Sequence, residues 1–443
     1  MRVNLIRPKT DDVYSGLKQV YSSFPPSAGL CCLGSAIKDK SDVVISDGNL
    51  NRPQFNADIV GIQDWVTTHT EALRLARQAK EQNPRSIVVL GGINASHLAN
   101  RILQNHGYVD YVVHGHGEEA LLGLVLGDQL ATIPNLCYRK DGVVKKNPGK
   151  VIRSRLFNLE QVVSWECDKE TPFPIAGIRG CIKAATQGIC RYCSLENESV
   201  GVMSPVDFWK QVRILKEKYG ITYFFETGDE FNVGTYPQRL LHARPNDLSD
   251  VSFRIYSYPE TLSQPGVIET LADLKVRELY MGVETINGDI LRSAGRKYDA
   301  GVIEDIFEKF SQNGLRVMVP FMFGLPGETN QTAQDNFDFS QRLLEKFPYV
   351  IKMMQYSLVV PIAGSSYFAL ASTNKNVRDA YSRDGRSLDR DDTFDYGLLT
   401  ELFIQSFSKS DIDFLRKLIE RGKKRVQELG FKTSTFIGVE DRL

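Results

Sequence analysis

The chain has 443 residues with 54 basic and 54 acidic side chains, 42% hydrophobic and 24% charged residues, and seven cysteines. That length allows two or three domains with their own cores, and the composition excludes a disordered, fibrous or small disulfide-stapled chain. Balanced charge gives no global field for nucleic acid or an anionic membrane. No apolar run reaches the roughly 18 residues of a membrane span. The start, MRVNLIRPKTDD, lacks the layout of a signal peptide, so a cytoplasmic protein is expected.

Short Val- and Ile-rich runs that end in turn residues alternate with helical patterns through the first 150 residues. VNLIRP (3–8), VVISDGN (43–49), ADIVGIQ (57–63), SIVVLGG (86–92) and VDYVVHG (109–115) predict buried parallel strands. HTEALRLARQAKEQN (69–83) and SHLANRILQNHG (96–107) predict helices between them. The alternation predicts a doubly wound, Rossmann-like α/β domain over 1–150, with ligands at the carboxyl ends of its strands. After a linker over 151–170, six further strand–helix units occupy 171–370. Their strands are expected at 173–179, 221–227, 251–257, 277–285, 315–324 and 352–361. The helix SPVDFWKQVRILKEKYG (204–220) opens on a Ser-Pro cap and stops at Gly220. Six units suggest an open, partial (β/α)6 barrel, with its chemistry in the carboxyl-end loops. A C-terminal helical region over 371–443 includes the amphipathic stretch LRKLIERGKKRVQELG (415–430).

The loop after the first barrel strand reads RGCIKAATQGICRYCSLE. Cys181 and Cys190 have eight residues between them, Cys190 and Cys193 only two. Three thiols so close together, flanked by Gly and Arg, fit core packing poorly. Thiolate clusters on strand-to-helix loops hold zinc or iron–sulfur clusters. His242 and Cys167 are candidates to complete a zinc site, although neither shows the paired spacing of such sites. Buried thiols without metal are the plain alternative.

These cysteines, placed on the loop after the first strand of a partial barrel, resemble the radical S-adenosylmethionine (SAM) superfamily. TGDEF (227–231) is similar to the family's Gly-Gly-Glu-like segment, which implies SAM amine contacts from Gly228, Asp229 and Glu230. YMGVETINGDILRSAGRK (280–297) resembles the fourth-strand segment and implies Glu284 and Arg296 as SAM contacts. FMFGLPGET (321–329) resembles the fifth-strand signature, implying Gly324 and Pro326 at the adenosyl end, and SLVVPIAGS (357–365) resembles the end of the sixth strand. The amino-terminal pieces FPPSAGLCCLGSAI, SDGN, VVLGGINASH and VDYVVHGHGEEAL resemble the cobalamin-binding domain that precedes many such barrels. That implies cobalamin contacts from Trp65 and Thr67 in QDWVTTH and from Gly91, Gly92, Gly115, Gly117 and Glu118.

The resemblance implies three cofactors: a [4Fe–4S] cluster on Cys181, Cys190 and Cys193, SAM on the iron those thiolates leave open, and cobalamin. The implied activity is methylation of an unactivated carbon of a small molecule or peptide through a 5′-deoxyadenosyl radical. Its rival is a radical rearrangement or non-methyl group transfer, with or without cobalamin. Tyr256 and Tyr356, at barrel-strand ends, are the candidate catalytic side chains toward substrate. An external donor of flavodoxin or ferredoxin type is the implied electron source, and neither a membrane nor a nucleic acid is an expected partner. Two features depart from the pattern. The family's usual spacing puts the first cysteine four positions before the second, where this chain has Thr186, so Cys181 is expected to replace it across an enlarged loop. The Asp-x-His-x-x-Gly pattern that gives cobalt a histidine in other cobalamin proteins is absent. His114 and His116 are candidates for contacts to the corrin or its nucleotide tail, with a backbone-bonded loop histidine as the plain alternative. Cys31 and Cys32 read as packing.

Overall fold

A computed structural model describes residues 1–10, 24–151, 155–195 and 199–431. The last residues of the expected C-terminal region, 432–443, lie outside the described residues. The first sheet contains β1 (Arg2–Arg7), β2 (Asp42–Asp47), β3 (Ile59–Gln63), β4 (Ile87–Gly91), β5 (Tyr111–Val113), β6 (Leu136–Lys140) and β7 (Val143–Lys146), in the order β2-β1-β3-β4-β5-β6-β7. β1 to β5 pair in parallel, as their Val/Ile-rich runs predict, and β6 and β7 add an antiparallel edge. β2 and β3 lie on opposite sides of β1, which opens a crevice at the carboxyl ends of β1 and β3. β7 was not expected. Asp141 (φ 52°) and Gly142 (φ 74°) both take left-handed backbone, the signature of a two-residue hairpin turn.

The second sheet is all parallel and open, in the order β15-β14-β13-β12-β11-β8. Its strands are β8 (Phe173–Ile175), β11 (Tyr223–Glu226), β12 (Ser252–Ser257), β13 (Val276–Met281), β14 (Arg316–Phe323) and β15 (Ile351–Leu358), and a short antiparallel ladder of β9 (Ile178–Arg179) and β10 (Gly201–Val202) brackets the cysteine loop. Alternation decides which side chains enter the barrel. Phe224 and Phe253 face outward and touch each other, and Phe208 and Trp209 of the helix Pro205–Tyr219 pack on Phe253. Phe225, Tyr256 and Tyr280 face the lumen, edge to face at 5.1 and 5.5 Å between ring centroids.

Tyr356 requires a correction as a catalytic candidate, because its strand turns it outward. Its hydroxyl bonds Ser340 Oγ (3.0 Å) and accepts from Gln341 Nε2 (2.8 Å) on the helix Asn330–Lys346, and its ring covers Gly422 of the helix Ile412–Glu428. The neighbouring Gln355 is the residue that faces in, accepting from Tyr280 Oη at 2.9 Å.

Two contacts tie the sheets together at their carboxyl edges, and a third set joins the first domain to the carboxyl-terminal segment. Arg179 of β9 pairs with Glu118, which starts the helix Glu118–Leu126. His97 Nε2 meets the Ser194 carbonyl at 2.5 Å. Asp391, from the carboxyl-terminal segment, bonds His69 (3.2 Å), His106 (2.7 Å) and Asn105 (3.0 Å). Burial alone would lower His69, but Asp64 and Asp391 on either side outweigh it and raise the imidazole to about 10. No helix among the described residues is long and apolar enough to cross a membrane.

Candidate active site

Cys181 leaves β9 as the N-cap of a helix, Ile182–Gln187, that the enlarged spacing creates, and its sulfur accepts from Ala184 N at 3.4 Å. Gly180 just before it has φ 84°, and a Cβ there would run into the Ser199 carbonyl, so the approach to Cys181 requires glycine. Cys190 and Cys193 form a tight turn (Cys193 N to Cys190 O, 2.9 Å) held by Arg191 N donating to Ala294 O at 3.0 Å. Burial pushes up the Cys181 thiol and raises Cys193 to about 12, with the neighbouring cysteines and Asp229 adding to the latter. Cys167 Sγ is engaged with Thr171 O.

Buried carboxylates gather around the thiols. Glu226 ends β11 and accepts from Gly177 N, Ile178 N (both 2.9 Å) and Gly228 N (3.1 Å), pinning the turn that leads to Cys181. Burial raises it to about 8 despite those three donors. Gly228 lies so close to Ile178 that a Cβ would stand 2.6 Å from it. Asp229 opens into the cleft, and its carboxyl is raised because the surrounding protein desolvates it. Glu230 turns the other way. It is fully buried and accepts from Asn232 N (2.8 Å), Ser257 Oγ (3.2 Å) and Thr261 Oγ1 (3.3 Å), with burial raising it to about 8.

Glu284 follows β13 with φ 61°, an uncommon conformation for a side-chain-bearing residue, held by Glu284 N to Pro320 O (3.1 Å) and Met322 N to Glu284 O (2.8 Å). Its carboxyl, raised by burial to about 7, accepts from Tyr192 Oη at 3.5 Å. Arg296 is 2% exposed and grips Glu260 bidentately (2.8 and 2.7 Å) while donating to Tyr192 Oη at 3.1 Å. Burial pushes Glu260 up, but Arg296 more than offsets this and holds it below the usual range. Gly324 and Pro326 belong to a loop directed at the C-terminal helices, since a Cβ on Gly324 would meet Ile404 at 2.6 Å.

Between the two carboxyl edges lies a cavity of about 370 Å3. From the first sheet it takes Gly61, Gly91, Gly92, Gly115, Gly117 and Glu118 with the side chains of Leu30, Leu33, Val89 and Val113. From the barrel it takes Ala176, Arg179, Gly180, Leu195, Thr227 and Asp229. Backbone glycines and aliphatic walls suit a flat, bulky ligand that must approach the chain closely. Trp65, 54% exposed, and Thr67 are not part of this lining. His116 is, whereas His114 is buried with Nε2 3.0 Å from Asn147 O. Cys31 and Cys32 are wholly buried packing. Sequence reasoning missed Glu226, Arg179, Tyr192 and Glu260. Arg179 and Tyr192 carried a signal, one standing just before Gly180–Cys181 and the other inside the Cys-x-x-Cys pair.

Two family descriptions match the chain: "B12 binding domain" over residues 25–125 and "Radical SAM superfamily" over residues 177–340. A Pyrococcus horikoshii protein described as an uncharacterized methyltransferase is 23% identical over 404 residues, covering 84% of each chain. The anaerobic magnesium-protoporphyrin IX monomethyl ester cyclase of Rubrivivax gelatinosus is 31% identical over 402 residues, covering 77% of this chain and 66% of the cyclase. Among solved structures, the radical SAM methyltransferase TsrM from Kitasatospora setae, with tryptophan substrate and a SAM analogue bound, superposes with a TM-score of 0.66 at 18% identity. It covers 85% of this chain and 77% of TsrM.

Proposed function

Because the chain belongs to the radical SAM enzymes that carry a B12-binding domain ahead of the barrel, we propose that it is a methyltransferase acting on an unactivated carbon of a small molecule or peptide. When bound, the [4Fe–4S] cluster, SAM and cobalamin supply the electron, the hydrogen-abstracting fragment and the methyl carrier. The observation that carries this reading is the shared cleft: Gly91, Gly92 and Gly115 face Gly180, Leu195 and Asp229 across one cavity, beside the cysteine loop.

In this reading Cys181, Cys190 and Cys193 hold the cluster, Asp229 and Glu284 take the polar end of SAM, and Tyr256 meets substrate in the lumen. The apolar cleft walls keep water from the reacting carbon. A low-potential flavodoxin- or ferredoxin-type donor supplies electrons, and the cytoplasm, where thiols stay reduced, is the compartment such a site needs. A second reading, ring formation without methyl transfer, is supported by the cyclase relative.

The test is anaerobic reconstitution with iron, sulfide and hydroxocobalamin, followed by incubation with methyl-labelled SAM and a reductant. Methyl transfer predicts that label leaves SAM as S-adenosylhomocysteine forms, together with 5′-deoxyadenosine. 5′-Deoxyadenosine without S-adenosylhomocysteine would favour ring formation. Neither product from a chain holding about four irons would refute SAM cleavage altogether.

A further inference from the structure

The Tyr258 hydroxyl stands 2.8 Å from Cys181 Sγ and 2.8 Å from the Asp229 carbonyl oxygen. A phenol carries one proton, and a backbone carbonyl can only accept. With the thiol protonated the three groups form a file: Cys181 donates to Tyr258, and Tyr258 donates to Asp229. A cluster ligand is a thiolate and has no proton to give. Two acceptors, the sulfur and the carbonyl, then face a single hydroxyl proton. A charged sulfur is the stronger acceptor.

The ring is held in place for that role. The Arg296 guanidinium lies 5.2 Å from its centroid, and Arg296 is itself fixed by Glu260, two residues after Tyr258. Cys181 comes within reach of this ring as the cap of the helix that the enlarged loop forms.

We propose that Tyr258 is a positioning residue for the cluster, donating its hydroxyl proton to the ligated Cys181 sulfur and thereby raising the cluster's reduction potential. The proposal rests on the cluster assignment made above. A hydrogen bond to a ligand sulfur favours the reduced state, which carries the greater negative charge on its sulfurs.

The experiment compares reconstituted wild-type, Tyr258→Phe and a chain with 3-fluorotyrosine at position 258. Iron and sulfide are counted first, and redox titrations monitored by electron paramagnetic resonance follow, without SAM. Tyr258→Phe should lower the midpoint, so that the reduced-to-oxidised ratio at a fixed potential falls about tenfold, or about 59 mV for one electron. Fluorotyrosine keeps the ring and strengthens the donor, so its midpoint should rise. A ring with a purely structural role would not shift the midpoint in opposite directions. Equal midpoints in all three chains would overturn the proposal. If Tyr258→Phe does not hold iron, the fluorotyrosine chain decides, and an unchanged midpoint there overturns it. A wild-type chain that binds no iron would instead overturn the cluster assignment itself.

Discussion

The two carboxyl edges that face each other across the cleft are built from opposite materials. On the first sheet the wall is backbone and aliphatic side chain: Gly61, Gly91, Gly92, Leu33, Val89 and Val113. Its charges are paired off at the margins, Asp64 with His69 and Glu118 with Arg179. On the barrel, ionisable groups crowd behind the wall rather than on it, and Glu226, Glu230, Glu284 and Glu328, which accepts from Gly324 N, are all raised by burial, to about 8, 8, 7 and 8. The difference separates two jobs. A bulky cofactor that brings its own reactivity needs shape and close backbone approach. A centre where charge moves needs fixed dipoles and hydrogen bonds, prepared in a site that excludes water.

The largest effect should come from the barrel edge. Cys181→Ala is expected to drop iron from about four per chain to below about one and to abolish 5′-deoxyadenosine formation, measured after anaerobic reconstitution. A SAM-cleaving cluster that survives would mean that the enlarged loop does not deliver its ligand through Cys181. The matching change on the other edge is Gly91→Leu. A Cβ there meets only ordinary contacts, 3.7 Å from Val113 O and 3.8 Å from Val113 Cβ, so the fold should tolerate the side chain while the cleft fills. Cobalt per chain should fall about tenfold or more, a loss of about 1.4 kcal/mol in binding, with iron unchanged. A parallel loss of iron would show that the two edges are not separable.

The buried carboxylates give the comparison a pH dependence. Raised folded-state values mean that the folded chain keeps protons the unfolded chain has already released, so stability falls as pH rises from the ordinary 4.5 through about 8. His69 adds the same sign, since its contribution is complete below its ordinary 6.5 and lost as pH rises through about 10. Asp391 is held low by His106 and His69 despite its burial, so its contribution is lost only in acid. Urea titrations of the cofactor-free chain should therefore show unfolding free energy falling by on the order of several kcal/mol between about pH 6 and about pH 9. Glu328→Gln should flatten that slope. A free energy that stays level or rises would mean that the barrel edge does not hold these carboxyls protonated.

What the sequence made legible follows the same division. The strands of both sheets and the glycine-rich strand ends are local signals, written in Val/Ile runs and turn residues. The cysteine loop is local too, as is Asp141–Gly142, whose hairpin signal was present and went unused. The barrel's charge network is not local. Glu226 acts on backbone 48 and 49 residues earlier, and Cys181 meets Tyr258 across 77 residues. Tyr356 could not be oriented from the sequence because KMMQYSLVV carries polar residues on both faces, Lys352 on one and Gln355 and Ser357 on the other, so nothing in it says which alternate residues point into the barrel. The loop of Gly324 and Pro326 could not be oriented without the helices Tyr396–Phe407 and Ile412–Glu428 that cover it.

One further effect lies where the two edges meet. Glu118 is a residue of the shape-built edge, yet its carboxylate is spent on Arg179 of the barrel, with side-chain exposures of 2% and 13%. Burial lowers the Arg179 guanidinium, but Glu118 more than compensates and raises it. Glu118→Gln keeps an oxygen acceptor for Arg179 and removes the charge, so the cost is that of an imperfectly compensated buried cation rather than of an empty hole. About 2 kcal/mol is expected in a urea titration with unchanged slope. If the pair serves only to join the edges, Arg179→Met in the same background should recover most of that loss, because the stranded cation is then gone too. If recovery fails, Arg179 is holding the Gly180–Cys181 approach, and the boundary between placement by shape and placement by charge runs one residue closer to the cluster than Glu118 suggests.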